Sequence, residues 1–74
     1  PRGVVVSAVD PDSDSAAKGL RRGDIILTAN QQPTTNPDEL SQILAAAKKA
    51  GRSNVLLYVQ RANMPPRYVA VKFR

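Results

Sequence analysis

The sequence predicts an α+β fold: a small, partly open β-barrel or sandwich of about five strands with two helices. Three observations carry this expectation. Residues 36–51 have the caps and apolar spacing of one amphipathic helix. Short runs rich in β-branched residues recur along the chain and read as strands. The segment Gly19-Leu20-Arg21-Arg22-Gly23-Asp24-Ile25-Ile26-Leu27-Thr28-Ala29-Asn30 describes a helix stop, a turn and a buried strand in direct succession.

The elements follow in order. Gly3 to Val9 reads as a strand through Val4, Val5, Val6 and Val9, and stops at Asp10-Pro11. Asp10 to Ser13 is a turn, after which Ser13 or Asp14 caps a short helix through Ser15, Ala16, Ala17 and Lys18. Gly19 takes a left-handed conformation after its last turn and Leu20 folds back onto it. Asp24 to Ala29 is the second strand, and its unbroken apolar run predicts a central place with both faces covered. Asn30 to Pro33 is a turn followed by a very short strand at most. Gln31, where glycine is common, predicts a turn other than type I′.

In the long helix Asn36 is the N-cap, Pro37 the first residue, and Glu39 is placed to reach back to the cap. Asp38 and Glu39 suit the positive end of the helix dipole, and Lys48 and Lys49 the negative end. Leu40, Ile43, Leu44 and Ala47 form one apolar stripe, and Gly51 ends the helix. Burying Leu40, Ile43 and Leu44 contributes roughly 5–8 kcal/mol as an upper bound. Val55 to Arg61 and Tyr68 to Phe73 are the last strands. In the latter, Val69, Val71 and Phe73 share one face and Tyr68, Ala70 and Lys72 the other. Met64-Pro65-Pro66 between them cannot continue a ladder.

Composition bounds the function. The 74 residues make one domain, 1–74, which buries only about 60% of its unfolded surface and holds no deep catalytic cavity. The chain has no cysteine and no histidine, which excludes a disulfide framework, a Ser-His-Asp triad and a His-liganded metal site within it. No catalytic residue, metal site or cofactor is expected. No apolar run approaches the ~20 residues that span a bilayer, so membrane insertion is not expected. The chain opens Pro1-Arg2-Gly3-Val4, with neither methionine nor leader, and reads as an N-terminally truncated fragment. The net charge of +5 is spread from Arg2 to Arg74. The only aromatics, Tyr58, Tyr68 and Phe73, lie in strand patterns, so no nucleic-acid partner is expected.

Two short motifs have plainer explanations. Asp10-Pro11-Asp12-Ser13-Asp14 has calcium-loop spacing, but Ser15 and Arg21 stand where such a loop needs glycine and a bidentate glutamate. Capping and turn chemistry account for it. Arg22-Gly23-Asp24 spells an integrin-recognition tripeptide, yet Asp24 runs straight into Ile25-Ile26-Leu27. The turn is therefore structural, with Asp24 accepting from nearby amides.

Gly3-Val4-Val5-Val6, then Ser13 to Leu20, Gly23-Asp24-Ile25-Ile26-Leu27, Asn30-Gln31-Gln32-Pro33 and the Asn36-capped helix together resemble a bacterial PDZ domain of the HtrA/Do serine endoprotease type. The resemblance spans essentially the whole chain. It implies a PDZ-like, circularly permuted fold, and the Asn36-Pro37 cap and Ala-rich helix end look most like the second, C-terminal PDZ domain. In that family the carboxylate-gripping loop and peptide-pairing strand precede the GVVV strand, so here they would lie before Pro1. The resemblance further implies a non-catalytic module of a periplasmic protease. Its partners would be unfolded or C-terminal peptide segments, together with the catalytic domain and sister PDZ domains of the parent. Leu40, Leu44 and Ala47 match helix residues that face a bound peptide, and Ile43 completes the candidate peptide-binding set. An alternative is an assembly module that binds little peptide, or the PDZ domain of another protease or secretion component. Self-association through an open Gly3–Val9 edge is also expected.

Overall fold

A computed structural model describes residues 3–73. The elements are β1 (Val4–Val5), α1 (Asp14–Ala17), β2 (Ile25–Ala29), β3 (Gln32–Pro33), α2 (Pro37–Lys49), β4 (Asn54–Gln60) and β5 (Arg67–Lys72). They form one antiparallel sheet in the order β1-β2-β4-β5, with β3 also pairing β2. This is the α+β arrangement of five strands and two helices that the sequence predicts, with the sheet open rather than closed.

β2 is central. One edge pairs along its length with β4; the other is shared by β1, at Val4↔Ile26 and Val5↔Ile25, and by β3, at Thr28↔Pro33 and Ala29↔Gln32. Between Ile26 and Thr28 the register to β4 shifts by one residue, so Leu27 bulges. The bulge explains how Ile26 and Ala29, three apart, both reach the core. The apolar run therefore marks a bulge as well as a central strand: Ile25 and Leu27 are only half-buried. Thr34, 1% exposed, closes the bulge. Its N–H donates to the Leu27 carbonyl at 3.2 Å and its hydroxyl to the Ile26 carbonyl at 2.7 Å.

The core lies under one face of the sheet, where Ile26, Val55, Leu57, Val59, Val69 and Val71 meet Leu20 and Ile43. On β5, Val69 and Val71 are buried while Tyr68, Ala70 and Lys72 are exposed, the predicted alternation. On the other face Tyr58 and Tyr68 stand directly opposite, with ring centroids 4.6 Å apart.

The caps are local and follow the sequence. Ser13 caps α1, its Oγ accepting from Ala16 N–H at 3.2 Å. Both helices end in the same motif. Leu20 N–H reaches the Ser15 carbonyl and Arg52 N–H the Ala47 carbonyl, around Gly19 (φ 90°) and Gly51 (φ 83°). Asn36 Oδ1 accepts from Glu39 N–H at 2.9 Å. Glu39, however, does not close the box on Asn36: its carboxylate accepts from the Thr35 hydroxyl and from Thr35 N–H at 2.9 Å. Those bonds, the hydroxyl first, hold its pKa below the usual glutamate value.

Two further expectations need correction. The first strand does not run from Gly3 to Val9. Val6 still exchanges bonds with Asp24 O and Gly23 N–H, but there β2 gives way to the Arg21–Asp24 turn. Ser7 to Val9 then have no ladder to join, and β-propensity cannot supply one. The second concerns Asn30-Gln31, a two-residue hairpin loop with φ of 53° and 65°. Positive φ at both positions is the type I′ turn. Pairing of Ala29 with Gln32 demands the twist, and Gln31 bears the left-handed cost. Gln31→Gly should therefore stabilise the fold by about 0.5–1 kcal/mol and raise the thermal midpoint by a few degrees. An unchanged or lower calorimetric midpoint would contradict the strain.

Candidate functional site

An apolar groove of about 560 Å³ opens between β1 and α2. Strand alternation places Val4 and Val6 on one wall, the face that Val4 shares with its partner Ile26. The row Leu40, Leu44, Lys48, at i, i+4 and i+8 on α2, makes the opposite wall. Ile26 and Leu57 lie at the floor, and Val55, Val71 and Phe73 line the end near the helix C-terminus. Polar groups stand at the rim: Asp10, Ser13, Asp14, Ser15, Lys48 and Lys72. A long hollow with apolar walls and a few polar rim groups suits a chain segment bearing apolar side chains.

The four candidate residues divide. Leu40 and Leu44 are half-buried and line the groove. Ile43 and Ala47 are buried, 9% and 3% exposed, and do not line it. Ile43 belongs to the core and borders a second hollow, of about 380 Å³, beside Gln32 and Pro33. The stripe thus has two edges, one packed and one open. Sequence reasoning missed Val4, Val6, Ile26 and Leu57. The Val4–Val6 alternation was the available signal for the strand wall, and the four-residue step from Leu44 was the signal for Lys48.

Two carboxylates fix the frame around the groove. Asp14 accepts Lys72 N–H at 2.8 Å and Lys18 Nζ at 3.3 Å, tying α1 to β5. These bonds, the Lys72 amide first, hold its pKa below the ordinary aspartate value. Asp24, 2% exposed, accepts Arg61 Nε at 2.9 Å, Arg61 Nη2 at 2.8 Å and Arg21 N–H at 3.0 Å. The Arg61 bonds first, then the Arg21 amide, hold it below the usual aspartate value and raise Arg61 in turn. Arg61 also donates to the Gly19 carbonyl at 2.8 Å, locking the end of α1 to the start of β2. The tripeptide Arg22-Gly23-Asp24 is thus structural, its carboxylate consumed inside the fold. Asp10 likewise serves its own turn, accepting Asp12 N–H at 2.9 Å.

The comparisons agree with this geometry. The family model for the PDZ domain matches residues 5–61. A probable DegP-like periplasmic serine endoprotease of Brucella suis is 44% identical over 70 residues, covering 95% of this chain and 14% of that protein. The periplasmic serine endoprotease DegP of Salmonella typhimurium is 54% identical over 43 residues, 58% of this chain and 9% of its own length. The chain spans about one seventh of the curated relatives it matches. Among solved structures, the HtrA3 PDZ domain bound to the phage-derived ligand FGRWV superposes with a TM-score of 0.81 at 30% identity, covering 96% of this chain and 62% of that one. The sheet order, the groove between β1 and α2 and these matches lead to one conclusion: the chain belongs to the PDZ domain family, and its sequence relatives are DegP-like serine endoproteases.

Proposed function

We propose that the chain is the non-catalytic, peptide-binding module of a DegP-like protease of the periplasm, the second PDZ domain of its parent, and that it takes apolar or C-terminal peptide segments into the β1–α2 groove. The observation that carries this is the apolar row Leu40–Leu44 facing Val4 and Val6 over the Ile26–Leu57 floor. The PDZ mode of recognition pairs an extended peptide with a sheet edge, and alternate side chains enter pockets; here the edge of β1 away from β2 takes the pairing role that the family resemblance gives to a strand before Pro1. Leu40 and Leu44 touch the peptide; Ile43 and Ala47 hold the helix at its distance. The periplasmic names of the relatives and the ligand-bound HtrA3 domain support the reading.

Leu44→Ala should weaken FGRWV binding about tenfold, the loss of one buried leucine contact. Exposed Gln42→Ala should leave it unchanged, both measured by calorimetric titration. Equal affinity for the Leu44 variant and the parent chain would overturn the assignment of that wall.

Assembly is the second reading, favoured by Val5, which is 62% exposed on a strand paired along one edge by β2. In this reading the Gly3–Val9 segment pairs with a second copy or a neighbouring domain. Sedimentation equilibrium would then show dimers that Val5→Lys abolishes; a monomer at all concentrations contradicts it.

A further inference from the structure

The Gly19–Asp24 turn carries Arg21 and Arg22, and Arg61 and Arg67 reach it from the end of β4 and the start of β5. Arg61 is spent on Asp24 and on the Gly19 carbonyl. Arg67, opposite Val59 at the start of β5, brings its guanidinium to 3.7 Å from where a side chain on Gly19 would begin. Its charge also acts on Asp24. Arg21 and Arg22 are exposed in the turn itself. Among the described residues, no carboxylate lies within ion-pair distance of Arg21, Arg22 or Arg67. The spot therefore holds a local excess of three positive charges, more than half of the chain's net +5. The groove lining includes none of these arginines.

We infer that Arg21, Arg22 and Arg67 form a second docking surface, separate from the groove, for an acidic polypeptide segment. Planar guanidinium forks match carboxylates bidentately, and the Asp24–Arg61 pair beneath them fixes the turn that presents them. Single-stranded nucleic acid fits less well, because it needs aromatic platforms beside the charge. Here the tyrosines stack on each other, and alternation places Tyr68 on the sheet face opposite to Arg67.

The test is titration of the chain with a labelled oligoglutamate peptide, followed by fluorescence anisotropy and by amide chemical shifts. Binding should move the amides of Arg21, Arg22, Gly23 and Arg67, weaken between low salt and about 0.15 M, and persist with FGRWV in the groove. Arg21→Gln with Arg22→Gln should reduce affinity about tenfold while leaving the melting temperature intact, since both side chains are exposed. Lys49→Gln with Arg52→Gln, both exposed and outside the groove, should leave it unchanged. Absence of binding at low salt, equal losses in the two variants, or tighter binding of a single-stranded oligonucleotide at equal salt would overturn the inference. None of these results bears on peptide binding in the groove.

Discussion

Asp24→Asn should lower the melting temperature by roughly 10–20 °C, the signature of about 2–3 kcal/mol in a domain of this size. The substitution keeps the shape and changes the chemistry. An amide nitrogen would point at a guanidinium that offers only donors, so one of the two Arg61 bonds becomes a donor facing a donor. Asp24 is buried, so water cannot make good the loss. A double-mutant cycle with Arg61→Gln should show strong coupling, the pair costing less than the sum of the single changes. Additive losses would mean that the two side chains act separately.

The same pair sets the acid sensitivity. The folded state depresses the pKa of Asp24 below its ordinary value of 3.8. Its stabilisation is therefore fully present above that value and is lost as pH falls through the lower, folded value. Asp24→Asn should flatten the fall in stability below about pH 4, and the parent chain should retain the steeper limb.

Ile26→Ala should cost about 3 kcal/mol, a large share of the whole stability of so small a domain. Ile26 is 7% exposed, sits between Val4 on β1 and Val59 on β4, and reaches the groove floor. Truncation removes contacts on both sides at once. Chemical denaturation should show a lower midpoint with an unchanged slope, and Ile26→Val should lose only about 0.5–1.5 kcal/mol. A loss below 1 kcal/mol for the alanine variant would mean that the site collapses around the smaller residue.

What the sequence made legible was local. The caps at Ser13 and Asn36 and the stops at Gly19 and Gly51 depend on residues within one turn of each other. The alternation on β5 needs only neighbours. What stayed hidden depends on partners far along the chain. Asp24 and Arg61 are 37 residues apart, and nothing near either names the other. The end of β1 is set by where β2 begins, not by the valines. The type I′ turn at Asn30-Gln31 is imposed by the β2–β3 register against the preference of Gln31. The candidate site was half legible for a related reason. Leu40, Ile43, Leu44 and Ala47 are equally apolar in sequence, and only the placement of α2 against the sheet separates the row at the groove from the row in the core.

The central claim is that peptide enters between β1 and α2, and mapping FGRWV onto the amide spectrum of the chain tests it most directly. The account predicts a contiguous set of shifted amides at Val4, Val6, Ile26, Leu40 and Leu44. Shifts confined to the far face of the sheet, around Tyr58 and Tyr68, or no shifts at saturating peptide, would contradict it.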